Sequence, residues 1–248
     1  MFLISQAVRN LHNLAYLIET PSLFKLYQRG GLPKSFIALN KPWLHALNIT
    51  TVLDIGANIG RFATTINAVL PKAKIYSFEP LPDCFEQLQL RMANVKNFTG
   101  FNIALGEESG DLPFERNAFS PSSSFLKMND LHKSAFPRTY HEKTVNIKVE
   151  RLDSFAERIV IAEPLLVKID VQGYEDRVLR GGEQTIRRAK LIVTETSFER
   201  LYTGQPLFNE IYQILSEWGF VYAGALGQLQ HPQSGKVIQQ DSIFAKPP

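Results

Sequence analysis

Four residues in the stretch TVLDIGANIGRFA (51–63) have the types and spacing of a small-molecule site: Asp54, Gly56, Asn58 and Gly60. An apolar run ends on a carboxylate and turns at once, on two glycines, into a helical pattern. Glycines in such a turn let a ligand approach the backbone, and amides at the start of the next helix receive negative groups. A dinucleotide site asks for G-x-G-x-x-G, so that pyrophosphate rests on the helix N-terminus. Here the spacing is G-x-N-x-G, and Asp54 opposes a pyrophosphate by like charge. A carboxylate there suits a cationic ligand. S-adenosylmethionine is one, carrying a sulfonium and an ammonium, and Asp54 is placed to anchor the ammonium directly or through water. In YSFEP, Glu79 ends the next apolar run, where a carboxylate accepts hydrogen bonds from ribose hydroxyls. Alone, Glu79 reads equally well as a solvated strand-end acid; with the upstream motif it reads as a nucleoside contact.

The elements that must carry these residues alternate. TVLDIG (51–56), KIYSFE (74–79) and NFTGFNIAL (97–105) read as strands, and RFATTINAVL (61–70) and PDCFEQLQLRMA (82–93) as helices between them. LLVKIDV (165–171), a helix over 174–188 with an internal Gly-Gly, KLIVTE (190–195) and an amphipathic helix over 206–219 follow. Two last strands, FVYAGALG and SIFAKP, form an antiparallel edge. Such alternation predicts an α/β fold with a parallel sheet, helices on both faces and right-handed crossovers. Residues 1–48 read as an N-terminal helical extension broken at Pro21, at Gly30–Pro33 and at Pro42, and 49–248 as the main domain. Within it, 106–144 is polar, rich in Ser and Pro and without a clean period; it reads as an irregular insertion, with one strand after it at Val145, Ile147 and Val149.

Composition narrows the function classes. Of 248 residues, 44% are hydrophobic and 21% charged, an ordinary globular balance. A formal charge of +3, with 27 Lys+Arg against 24 Asp+Glu and no dense basic run, argues against nucleic acid as a partner. One cysteine, Cys84, excludes an intramolecular disulfide and a cysteine metal cluster, and fits a reducing, cytoplasmic compartment. The first twenty residues lack the continuous apolar core of a signal peptide or a transmembrane span. Their apolar face, Ile4 to Ile18 at helical spacing, packs on its own domain, on a second copy of the chain as a homodimer, or more weakly on a membrane surface.

VLDIGANIGRFA, YSFEP, NIALGE, RLDSF and VKIDVQGYEDRVLRGG occur in the order and at roughly the spacing of the FkbM family of methyltransferases, which this chain resembles over about residues 50–246. The resemblance implies a class I methyltransferase, Rossmann-like fold. Its sheet is seven-stranded and mostly parallel, of order 3-2-1-4-5-7-6, with strand 7 antiparallel. It implies S-adenosylmethionine as methyl donor, S-adenosylhomocysteine as product, and O-methylation of a hydroxyl on a sugar, glycolipid or secondary metabolite. By position it puts Asp54, Gly56, Asn58 and Gly60 around the methionine part, Glu79 on the ribose, and Phe78 and Pro80 beside the adenine slot. Asn102 and Ala104 fall at the adenine edge. Relatives often carry Glu where this chain has Gln172, so a role that needs charge there is absent.

Methyl transfer is an in-line displacement in which alignment supplies much of the rate, and a base is needed only for a poor nucleophile. Asp170 closes the fourth strand of the main sheet and is the first candidate base. Lys168, two residues earlier, shares its face and needs a carboxylate partner, for which Asp54 and Asp170 are candidates. Glu195 ends the fifth strand and joins Asp170 in flanking one pocket. The bland reading of each is a strand-end acid. Two such carboxylates also suit a divalent cation, but Gln172 lowers the charge and no histidine is near in sequence, so no metal is assigned. Glu175 reads as a helix N-terminal acid. His132 and His141 lie in the insertion as further candidate bases, and Ser122, Ser123 and Ser124 as polar contacts. The insertion, with Phe119, Phe125, Phe136 and Tyr140, reads as an acceptor lid. Two other classes stay open: a nicotinamide-dependent oxidoreductase on the same sheet type, and a non-catalytic cofactor-binding module.

Overall fold

The computed structural model describes residues 21–117, 120–130, 132 and 142–247. The extension forms three short helices, α1 (Pro21–Gln28), α2 (Pro33–Leu39) and α3 (Pro42–His45), each opening on a proline. Proline suits a first helical position, where its missing N–H costs nothing. The face expected over Ile4–Ile18 lies outside the described residues.

The main sheet follows from the alternation. β1 (Thr51–Ile55), α4 (Arg61–Val69), β2 (Lys74–Phe78), α5 (Pro82–Met92) and β3 (Phe98–Phe101) form its first half. β7 (Leu165–Ile169), β8 (Leu191–Ser197), β9 (Val221–Gln230) and β10 (Val237–Ala245) form the second. The order is β3-β2-β1-β7-β8-β10-β9, with β10 antiparallel to both neighbours. Counting only these seven strands along the chain, that is 3-2-1-4-5-7-6, as expected.

Strand residues alternate between two buried faces. Leu53, Ile55, Val167 and Ile169 face one core with Phe78, Val178 and Phe244. Val52 and Leu166 face the other, with Ile66, Leu88 and Ile243. Leu39 and Leu44 of the extension are fully buried in this second core. Towards the strand ends the second face turns polar, because Asp54 and Lys168 follow Val52 and Leu166 at period two and lie in register across β1 and β7.

Three elements differ from expectation. The strand expected over 97–105 splits into β3 and β4 (Ala104–Leu105), and β4 belongs to a second sheet of order β4-β6-β5. The insertion is not irregular throughout: β5 (Gly110–Asn117) pairs antiparallel with β6 (Glu142–Glu150). Pro113 obscures β5 in the sequence, yet β5 is an edge strand, where a missing N–H is tolerated. The helix expected over 174–188 breaks at Gly182 into α7 (Glu175–Gly181) and α8 (Glu183–Ile186). A Cβ on Gly181 would stand 1.8 Å from the Gly106 carbonyl, so the helix–loop approach demands this glycine. α6 (Leu152–Ala156) and α9 (Phe208–Glu217) complete the layers.

Candidate active site

The turn after β1 is built by hydrogen bonds. Gly56 and Ala57 donate N–H to the Phe78 carbonyl at 3.0 Å, and Asp170 N–H reaches the Ile55 carbonyl at 3.1 Å. Gly56 has φ +76°, and a Cβ there would lie 1.9 Å from the Asp170 carbonyl oxygen. Its glycine is therefore required first by the crowding of β1 against β7. Asn58 has φ +48°, a left-handed conformation that Asn tolerates better than most residues. That is a backbone reason for Asn at the position a dinucleotide motif gives to glycine. Gly60, φ +82°, caps α4 against Leu88 and is buried, away from the cavity.

Glu79 locks this turn to the end of β2. Its Oε2 accepts the Asn58 N–H at 2.8 Å and its Oε1 the Leu81 N–H at 2.9 Å. The residue is 4% exposed, and burial pushes its pKa up to about 7 against those two hydrogen bonds. Asn102 does not line the cavity. Its amide donates to the carbonyls of Glu79 at 2.9 Å and Pro80 at 3.0 Å, fixing the strand end from behind.

Behind the turn sits a buried charge cluster. Lys168 Nζ donates to the Gly56 carbonyl at 3.0 Å and lies 3.4 Å from both Asp54 Oδ1 and Asp170 Oδ2. Both partners expected for Lys168 are thus in place. Burial opposes the lysine's charge, but Asp170, Asp54 and Asp241 outweigh it and hold its pKa above the usual lysine range. Asp54 is fully buried. Burial raises its pKa, Lys168 opposes that, and Oδ2 accepts the Ser77 hydroxyl at 3.1 Å. Oδ1 faces the ammonium without a well-aligned hydrogen bond.

A cavity opens over the ends of β1, β2 and β7. Gly56, Asn58, Glu79 and Asp170 form its polar side. Phe78, Pro80, Ile103 and Ala104 form an apolar slot. Part of the insertion, Ser120 to Phe125, covers it: Ser120 Oγ accepts the Asn58 amide at 3.3 Å, and Ser124 Oγ donates to the Gln172 carbonyl at 2.6 Å. An apolar slot, a carboxylate beside it and a backbone turn backed by Asp54 thus lie side by side at one set of strand ends. The cavity measures about 120 Å³. Small-molecule sites span roughly 300–1,000 Å³, so this cavity is narrow beside them.

Gln172 joins the candidate carboxylates. It has φ +56°, and its Nε2 donates to Asp170 Oδ1 at 2.9 Å and to Glu195 Oε2 at 3.0 Å. Its Oε1 accepts the Tyr202 hydroxyl at 3.0 Å. Gln239 Nε2 adds a bond to Glu195 Oε2 at 3.1 Å. Burial, then Asp170, Glu175 and Asp241, raise the Glu195 pKa well above the carboxylate range. Asp170 and Glu195 do not share a cavity wall. Asp170 lines the first cavity, Glu195 a second cleft, and Gln172 spans between them.

The other sequence candidates are placed as follows. Glu175 is buried and accepts the N–H groups of Val171 and Gly173 at 3.1 Å, pinning the turn before α7. His132 is buried, edge-on to Tyr202, and burial lowers its pKa to about 4. His141, Phe119, Phe136 and Tyr140 lie outside the described residues. Sequence reasoning missed the linking roles of Gln172, Tyr202 and Gln239. No local signal marked them: Gln is not a residue that ordinarily takes the left-handed conformation Gln172 adopts.

Comparison with known proteins decides the family. The model of the methyltransferase FkbM domain matches residues 54–222. The chain belongs to the FkbM methyltransferase family. It is an S-adenosylmethionine-dependent methyltransferase with the seven-stranded sheet of that class. It is 26% identical over 176 residues to the 2-O-methyltransferase NoeI of Sinorhizobium fredii, covering 68% of this chain and 72% of NoeI. It is 29% identical over 143 residues to the hexuronic acid methyltransferase AglP of Haloferax volcanii, covering 57% of this chain and 54% of AglP. The solved fibrillarin of Aeropyrum pernix aligns at a TM-score of 0.44 and 10% identity, over 78% of this chain and 66% of its own. Among the described residues, no helix is long and apolar enough to cross a membrane, and no three His, Cys, Asp or Glu residues group to hold a metal ion.

Proposed function

We propose that this methyltransferase acts on a hydroxyl oxygen of a saccharide or a related hydroxylated metabolite. The observation that carries the reading is that one cavity gathers Gly56, Asn58, Glu79, Ala104 and Asp170. The FkbM motifs scatter these residues over more than a hundred positions. The names of two relatives, a 2-O-methyltransferase and a hexuronic acid methyltransferase, support oxygen and a sugar as acceptor.

In this reading Gly56 and Asn58 cradle the methionine part, with Asp54 and Gly60 holding the turn from behind. Glu79 takes the ribose hydroxyls on its remaining lone pairs. Phe78, Pro80 and Ala104 form the adenine slot, and Asn102 keeps its rim in place. Bound S-adenosylmethionine supplies an electrophilic methyl carbon on a sulfonium. Lys168, held charged by its carboxylates, serves to balance them and is no base. Asp170 and Glu195, tied by one Gln172 amide, receive the acceptor's hydroxyl proton. Burial holds the Glu195 pKa well above the carboxylate range, so it takes up that proton only in its ionised form, and Asp170, which lines the cofactor cavity, is the first acceptor.

The test is transfer of a labelled methyl group to defined oligosaccharides, with the product linkage read by mass spectrometry. A methyl ether on a former hydroxyl oxygen of the sugar is expected. Label found only on nitrogen, or on no sugar while S-adenosylhomocysteine still binds, sinks the reading.

A further inference from the structure

Beyond the cofactor cavity, a cleft of about 930 Å³ opens on the second face of the sheet. One wall is the extension, with Tyr27 of α1 and Lys34, Ser35 and Ile37 of α2. The opposite wall is the sheet edge, with Glu195, Gln239 and Asp241 beside Leu226 and Leu229. This volume lies in the range of small-molecule sites. The extension is held over it firmly. Leu32 N–H donates to Thr65 Oγ1 at 2.8 Å, and Arg91 binds the carbonyls of Ile59 and Arg29, both at 2.8 Å.

We propose that this cleft receives the methyl acceptor and that the acceptor is an uncharged saccharide; the assignment rests on the sugar O-methylation reading above. Three observations converge. The cleft reaches the reaction centre through Glu195, whose Oε2 shares the Gln172 amide with Asp170 of the cofactor cavity. Its walls are of two kinds, apolar surfaces from Tyr27, Ile37, Leu226 and Leu229 against amide and carboxylate groups from Gln239, Glu195 and Asp241. A pyranose ring has that division, with C–H faces that pack on apolar and aromatic groups and a hydroxyl edge that hydrogen-bonds carboxylates and amides. Charge selects within the class. Glu195 and Asp241 stand opposite one another in register across β8 and β10. Lys34, exposed at the rim, is the one cationic side chain among the described residues of the lining. Asp241, whose pKa burial raises to about 6, still carries charge at neutrality, and a uronate would set a second carboxylate against it with only Lys34 among the described lining residues to offset it.

The experiment presents the full chain and a tritium-labelled methyl donor to a panel of neutral and uronate-bearing oligosaccharides. Label is expected on neutral members. Ser35→Trp, which narrows the cleft, should cut transfer about tenfold or more and leave S-adenosylhomocysteine affinity by calorimetry within about twofold. Tyr27→Ala removes a ring that is 54% exposed and tolerates change in the fold. It should raise the acceptor KM with kcat held. Transfer confined to uronates overturns the charge assignment, and wild-type transfer in both variants overturns the location. Label on no sugar, with cofactor binding intact, overturns the sugar reading instead.

Discussion

At the scale of single residues, the site is a set of buried charges held by few partners. Glu79 is pushed up to about 7 by burial, so near neutrality it is partly protonated before cofactor binds. In the proposed site, ribose hydroxyls donate to the ionised form and favour it. Binding therefore releases a proton, and affinity for S-adenosylhomocysteine rises as pH passes up through about 7. Calorimetry in two buffers of different ionisation enthalpy reads that proton directly. Glu79→Gln replaces one acceptor oxygen with a donor facing the Asn58 or Leu81 N–H. It should remove the pH dependence and cost about 1–3 kcal/mol of stability. Lys168 is the counter-charge for Asp54, which is fully buried. Lys168→Met leaves that carboxylate uncompensated and should cost about 3–5 kcal/mol, seen as a drop in Tm. Gln172→Glu puts a third acid between Asp170 and Glu195 in place of their shared donor. Turnover should fall about tenfold or more near neutrality and recover partly at lower pH, where one of the three is protonated. An unchanged pH–rate profile would count against the bridging role.

At the scale of elements, the glycine turn shows how packing decides a motif. The sequence suggests that Gly56 makes room for a ligand, whereas the structure shows it making room for β7. Gly56→Ala would set a Cβ 1.9 Å from the Asp170 carbonyl and hold an L-residue at φ +76°. The strand ends must separate, so the variant should lose cofactor binding and at least about 1–3 kcal/mol of stability by denaturant titration. The cover at Ser120–Phe125 is the second element with a consequence. It is fastened to the site by Asn58 and Gln172 and roofs a narrow cavity. The insertion so covers the cofactor side, while the second cleft is walled by the extension.

At the scale of the whole molecule, the extension is continuous with the core. Leu39 and Leu44 are fully buried beside Val52 and Ile66. Removing residues 1–48 strips two buried leucines, about 1.5–3 kcal/mol each, from the sheet's second face. The remaining 49–248 should unfold at markedly lower temperature, read by thermal denaturation. Much of this architecture was legible in the sequence. Near-continuous apolar runs joined by helical ones determine a parallel sheet, because each strand must bury both faces. D-x-G-x-N-x-G with Glu79 determines the cofactor class, because charge and backbone freedom are properties of residue type and spacing. The sequence did not disclose that Gln172 bridges Asp170 to Glu195, or that Asn102 supports the rim without lining the cavity. Nor did it disclose that Tyr27 and Asp241 line one cleft. Those depend on side chains from strands and helices far apart in the chain, and only the closing of the sheet brings them within hydrogen-bonding or van der Waals reach.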